Sequence, residues 1–189
     1  MTSICLDLDG VITDFCSPAM MLNDVVMPKL EHYPSEAGWD IVKACNIFRA
    51  YRGLASVTPE EFWSKFDHRF WASLYMYPRA VGFISALIEL VGVENICLVT
   101  SPTLNSECAS GKMLWIQKYL PTFGKQFLIG PSKRFLANSN TILIDDNDTN
   151  CESFVKAGGR AILFPRPWNT AEYNEFPYNY VLLKLKAML

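Results

Sequence analysis

The sequence predicts an α/β fold built on a Rossmann-like parallel sheet flanked by helices, and three observations carry that reading. Short β-branched or apolar runs alternate with stretches of helical periodicity over most of the chain. Half of the 189 residues are hydrophobic and 19% are charged, enough apolar material for one substantial core. Acidic or hydroxyl residues stand at the ends of three of the apolar runs, where open α/β sheets bind their ligands.

Taken in order, the strands are expected at residues 3–8, 95–100, 126–129, 141–144 and 160–164. Helical spacing falls between the later ones, at 79–91, 107–120 and 149–157. Residues 16–78 break the alternation with helical patterns near 19–30, 35–51 and 58–71. Within them Thr58, Pro59 and Glu61 spell a capping box with proline at the first helical position. The chain therefore divides into an α/β core, residues 1–15 and 79–189, and a small helical cap inserted after the first strand, residues 16–78.

Composition excludes several classes. A net charge of −2 gives no broad attraction for a nucleic-acid polymer. Six cysteines form no C-x-x-C and no Cys/His spacing suited to zinc. Cys5 and Cys97 lie inside apolar runs as small hydrophobes, which fits a reduced, cytoplasmic protein. The opening MTSICLD lacks the basic and long apolar regions of a secretion signal. The most apolar window, 81–99, is broken by Glu89, Glu94 and Asn95, so no membrane partner is expected.

The first strand ends in DLDG, with Asp7 and Asp9 one residue apart and Gly10 following. Thr100 and Ser101 end the second strand, and Asp145 and Asp146 the fourth. An EF-hand is excluded, because counting from Asp7 puts Ile12 and Pro18 where glycine and glutamate are needed. Strand-end aspartates can serve as caps. Two converging pairs of like charge, however, need protons or a cation to persist in a buried place. Mg²⁺ suits such a site, being held by carboxylates, water and substrate phosphate. The two histidines, His32 and His68, fall in the insertion and read as surface residues.

DLDGV at 7–11, VTSP at 99–102, a lysine before the next strand and IDD at 144–146 resemble the four motifs of the haloacid dehalogenase (HAD) superfamily of phosphotransferases. More narrowly, DLDGVITDF, LVTSP, KMLWIQKY and ILIDD are similar to the 5′(3′)-deoxyribonucleotidase branch, which carries a helical cap between its first two motifs. The tail AGGRAILFPRPWN is similar to the end of many small nucleotidase-like members.

The resemblance implies roles. Asp7 is the nucleophile that forms an aspartyl phosphate, and Asp9 the acid that protonates the leaving oxygen and then activates water. The second aspartate favours phosphatase chemistry over the dehalogenase and ATPase branches, which lack it. Thr100, Ser101 and a lysine hold the phosphoryl oxygens. Lys133, 12 residues before Asp145, is preferred for that lysine, with Lys112 matching a second basic position of the nucleotidase branch. Pro131 stands where that branch often has a basic residue. Mg²⁺ is expected on Asp7, Asp146 and the Asp9 carbonyl, with Asp145 binding through water or orienting the lysine.

The insertion is rich in aromatics, including Phe62, Trp63, Phe66, Phe70, Trp71 and Tyr75. Helical spacing makes such a stripe core material first. Phe15, Phe70 and Trp71 nevertheless fall where the branch builds its base pocket. The expected activity is Mg²⁺-dependent hydrolysis of a small phosphate monoester, a (deoxy)nucleoside 5′-monophosphate. A phosphosugar or other small metabolite is the alternative substrate. A receiver-like module phosphorylated on Asp7 is a third reading, which would leave Asp9 without a use.

Overall fold

The computed structural model describes residues 2–172 and 174–189. Strands β1 (Ser3–Leu6), β4 (Ile96–Thr100), β5 (Phe127–Ile129), β6 (Thr141–Asp145) and β7 (Arg160–Leu163) form one parallel sheet in the order β5-β4-β1-β6-β7. The expected α/β fold is therefore present. Both central strands beside β1 pair with it in parallel, Leu6 lying opposite Leu98 of β4 and Ile144 of β6. Ile4, Leu6, Leu98, Ile142 and Ile144 are fully buried, as expected of strands covered on both faces.

The core helices are set by simple periodicity. Helix α5 (Ala80–Val91) buries Ala80, Phe83, Ile84 and Leu87, one stripe at i, i+3, i+4 and i+7. Helix α6 (Ser106–Tyr119) buries Cys108, Gly111, Lys112 and Trp115 with the same spacing. A lysine thus occupies an inward-facing position. Helix α7 (Asp148–Lys156) starts on Asn147, whose side chain accepts from the Asn150 N–H. Helix α8 (Pro177–Met188) has no counterpart among the expected elements; Tyr178 packs its ring 4.8 Å from that of Phe83 on α5.

The inserted segment leaves and returns at one place. Strand β2 (Thr13–Asp14) pairs antiparallel with β3 (Tyr75–Met76), so a two-stranded ribbon joins its two ends. Its helices are α1 (Cys16–Leu22), α2 (Ile41–Tyr51), α3 (Pro59–Trp63) and α4 (His68–Ala72). They are shorter than the sequence pattern suggests, for local reasons. Asp24 takes a left-handed φ of 61° just after α1, and Pro28 follows, so a helix over 19–30 cannot run on. Asp40 and Asp67 each cap a new helix by accepting a backbone N–H three residues on, which splits the patterns at 35–51 and 58–71. The Thr58 capping box forms as expected.

Helix α4 lies directly on α6. A Cβ added at Gly111 would come within 2.5 Å of the His68 carbonyl oxygen and 2.6 Å of Trp71 Cβ. The glycine is what lets the two backbones approach, and it fixes the insertion against the sheet domain next to Lys112.

Candidate active site

Asp7 follows β1 with its N–H bonded to the Ile144 carbonyl at 3.0 Å, and Leu8 turns into the core between Asp7 and Asp9. Gly10, at φ +77°, then turns the chain under Asp146. Any Cβ there would overlap Asp146 Oδ2 at 1.8 Å, so the loop admits only glycine. Together with the ends of β4 and β6, this brings the three polar clusters of the sequence into one crevice. Of the sequence-proposed residues, Asp7, Asp9, Phe15, Trp71, Ser101, Lys112, Lys133 and Asp146 line a cavity of about 280 Å³ there.

The two lysines pair with three of the four carboxylates. Lys133 Nζ lies 2.7 Å from Asp7 Oδ1 and 2.6 Å from Asp145 Oδ2, all three groups being buried. Lys112 Nζ donates to Asp9 Oδ2, to Thr100 Oγ1 at 2.8 Å and to the Ser101 carbonyl at 2.6 Å. The other Asp9 oxygen accepts from the Thr13 hydroxyl at 2.8 Å.

Asp145 is fully committed. Its oxygens accept from Lys133, from the Asn147 N–H at 2.9 Å and from Asn150 Nδ2 at 3.1 and 3.2 Å. Asp146 is not. Trp168 Nε1 donates to its Oδ2 at 2.8 Å, while its Oδ1 is buried with no partner among the described residues.

Burial shapes the electrostatics. It pushes the Asp7 carboxyl up to about 7, against the pull of Lys133 and with help from Asp145 and Asp9. Asp146 is raised well above the carboxylate range, first by burial and then by Asp7 and Asp145. Burial alone would lower Lys133, but Asp7 and Asp145 outweigh it and hold the ammonium charged beyond its usual range. With all four carboxylates ionised, Lys112 and Lys133 balance half the charge and Arg166 adds a further pull on Asp146, so the cluster still carries an excess of negative charge.

The donors fit a divalent cation. Carboxylate oxygens of Asp7, Asp145 and Asp146 lie within 4.8 Å of one another. Asp146 Oδ1 is the orphaned atom a metal would satisfy, and an all-oxygen set suits a hard ion such as Mg²⁺. Because the Asp145 oxygens are already engaged, orienting Lys133 is the role its contacts favour.

The aromatic residues sort differently from expectation. Phe70 does not reach the cavity; its ring stacks 4.5 Å from Phe66 inside the core, since neighbouring positions on α4 point about 100° apart. Phe15 stacks near-parallel with Trp71 at 5.1 Å and with Trp63 at 5.9 Å, the ring planes within 7° of parallel. Lys112 lies 5.1 Å over the Trp71 ring. Phe15 is half-buried and Trp71 buried, whereas Trp63 is 36% exposed. Across the cavity stand Tyr33, Trp39 and Trp168, which the sequence reading did not select. Asn150 was also missed, although it falls one turn into a capped helix directly after the DD pair.

No protein-family model matches the chain, and no curated protein sequence matches it. Solved structures do. A HAD family hydrolase from Deinococcus radiodurans R1, determined with bound phosphate and sodium, aligns over 98% of this chain and 88% of its own, with TM-score 0.54 and 14% identity. An L-2-haloacid dehalogenase aligns over 98% of this chain and 99% of its own, with TM-score 0.55 and 14% identity. A dehalogenase determined with an intermediate complex aligns over 100% and 97%, with TM-score 0.54 and 13% identity. The chain has the fold of the HAD-like hydrolases. At these identities the likeness speaks for the fold, and the chemistry rests on the site. Among the described residues, no helix is long and apolar enough to cross a membrane.

Proposed function

We propose that this protein is a Mg²⁺-dependent phosphomonoesterase that works through an aspartyl phosphate on Asp7, with residues 16–78 acting as a cap and a (deoxy)nucleoside 5′-monophosphate as substrate. The observation that carries the reading is Asp9: a second carboxylate at the mouth of the crevice, its side chain 25% exposed and bonded to Lys112 and Thr13. A haloacid displacement needs no proton donor at that point, and a phosphorylated receiver would leave it idle. Phosphate-ester hydrolysis uses it twice.

In the first step an Asp7 oxygen attacks phosphorus, and the ester oxygen departs with a proton from Asp9. In the second, the Asp9 carboxylate takes a proton from water, whose oxygen attacks the phosphoaspartate and releases phosphate and Asp7. Lys133 holds the Asp7 carboxylate in place and balances its charge. Lys112, Thr100 and Ser101 form the cradle for the phosphoryl oxygens, with preorganised donors aimed where charge develops. Because Asp9 accepts from Lys112 in the free protein, an incoming phosphoryl group that draws Lys112 to itself frees an Asp9 oxygen for the proton it must carry. Mg²⁺ would be held by Asp7 and Asp146, and when bound it supplies positive charge against the phosphoryl oxygens and the buried carboxylates.

The nucleotide assignment rests on the resemblance of the sequence motifs and on the aromatic walls of the cavity. A phosphosugar leaves those walls without a planar partner. The test is release of inorganic phosphate from a panel of nucleoside monophosphates, phosphosugars and p-nitrophenyl phosphate, run beside halide release from 2-haloacids. Phosphate release, highest with the nucleotides, is expected. Halide release without phosphatase activity would overturn the assignment, and a preference for phosphosugars would move the substrate to the alternative class.

A further inference from the structure

Trp168 has two attachments that belong to different parts of the molecule. Its indole N–H donates to Asp146 Oδ2 at 2.8 Å. Its ring is met edge-on by Tyr33 at 5.2 Å and Trp39 at 6.3 Å, both from the inserted segment. Trp168 itself is buried, while Trp39 is 53% exposed at the cavity wall. The partners are anchored in turn. The Tyr33 hydroxyl donates to the Gly38 carbonyl at 2.8 Å, bracing the turn that carries Trp39. Beside Trp168, Asn169 Nδ2 donates to the Asp146 carbonyl at 2.7 Å and to the Phe164 carbonyl at 2.8 Å, fixing the tail to the end of β6.

The consequence falls on one carboxylate. Trp168 and the backbone turn at Gly10 both lie against Oδ2, so Asp146 cannot rotate freely and its Oδ1 is left buried without a partner among the described residues. We propose that Trp168 is a positioning residue that fixes which Asp146 oxygen faces the metal and ties that choice to the seating of the insertion through Tyr33 and Trp39. This rests on the reading of Asp7 and Asp146 as the Mg²⁺ ligands. Groups that orient metal ligands in this way are commonly worth 10- to 100-fold in metal affinity. The insertion thereby does more than cover the crevice: its position is felt at the ligand.

The test is calorimetric titration of the whole protein with Mg²⁺ alone, in wild type and in Trp168→Phe, which keeps an apolar ring and removes the N–H. The expected result is wild-type binding, a loss of about 10- to 100-fold in the variant, and a metal-free melting temperature that stays within a few degrees. Should Phe fail to fold, β-(3-benzothienyl)alanine at position 168 replaces the N–H by sulfur within nearly the same ring shape. Mg²⁺ affinity within twofold of wild type in either variant overturns the role of Trp168. Failure of the wild type to bind Mg²⁺ strikes instead at the metal assignment on which the inference stands. The link to the insertion has its own readout: Trp39→Ala is expected to weaken Mg²⁺ binding severalfold by removing its edge contact with Trp168, and unchanged affinity there rejects the coupling.

Discussion

Lys133 Nζ lies 2.7 Å from Asp7 Oδ1, and this ammonium also neutralises Asp145 within the same buried cluster. Breaking a buried ion pair by removing one partner typically costs about 3–5 kcal/mol, because the remaining charge has lost its compensation. Lys133→Met should therefore lower the unfolding free energy of the metal-free protein by about that amount. Mg²⁺ should recover part of the loss, since a cation on Asp7 and Asp146 supplies the missing positive charge. Urea denaturation with and without Mg²⁺ measures both effects, and a variant as stable as wild type without metal contradicts the account of the cluster.

Asp7 and Asp9 share a loop but should fail differently. Asp7→Asn removes the nucleophile and is expected to abolish turnover. Asp9→Asn leaves the nucleophile and its lysine in place and removes proton transfer, an effect typically of about 10² to 10⁴ in rate. Acid-quenched samples of Asp9→Asn after a pulse of substrate should show trapped phosphoenzyme by mass spectrometry. Turnover near wild type in Asp7→Asn is the result incompatible with covalent catalysis at that residue.

Metal dependence follows from the donor set. EDTA should stop phosphate release and Mg²⁺ restore it, while Zn²⁺ should substitute poorly because Asp7, Asp145 and Asp146 offer oxygen and no nitrogen or sulfur. Steady-state rates across a series of divalent ions check this, and full activity after exhaustive chelation argues against a metal role.

Much of this was legible in the sequence, and the parts that were not have physical reasons. The buried central strands β1, β4 and β6 read as unbroken apolar runs, the partly exposed edge strands β5 and β7 as shorter ones, and all five appear with ends shifted by only a residue or two. The carboxylate and hydroxyl positions were also visible, because each stands at or just after a strand end, and Lys133 follows β5 closely. The insertion was blurred because Asp40 and Asp67 are caps that restart helices inside what reads as a continuous pattern. Helix α8 was passed over although Tyr178, Val181 and Leu185 form a stripe behind Pro177. Trp168 could not be assigned from its neighbours, since its partner Asp146 lies 22 residues away and meets it only through the return of the chain after β7. Lys112 shows the converse: a charged residue on the buried stripe of α6 is a local inconsistency, and such departures mark the site.

The last prediction concerns which aromatic residue meets the substrate. A phosphate alone can occupy the Asp, Thr, Ser and Lys cluster, so discrimination must come from the walls above it. Phe15 stacks near-parallel with buried Trp71 at 5.1 Å and with Trp63 at 5.9 Å, and Lys112 lies over the Trp71 ring, so Phe15 and Trp71 are packed fixtures of the wall. Trp63, at 36% exposure, retains a surface that a base could cover. Aromatic stacking on a base is worth roughly 1–3 kcal/mol in single-stranded nucleic-acid sites, which corresponds to about tenfold to a hundredfold in binding. Trp63→Ala should accordingly reduce kcat/KM for nucleoside monophosphates by about that factor while leaving p-nitrophenyl phosphate much less affected. Phe15→Ala and Trp71→Ala should behave otherwise, lowering the melting temperature and depressing both substrates together, because truncating a packed aromatic ring costs about 3–5 kcal/mol when its site cannot collapse. Parallel kinetics on the two substrates, with melting curves for each variant, separate the outcomes. A selective loss in Phe15→Ala with none in Trp63→Ala would place the base on the inner ring, and equal losses on both substrates in Trp63→Ala would remove the case for a stacked base at that wall.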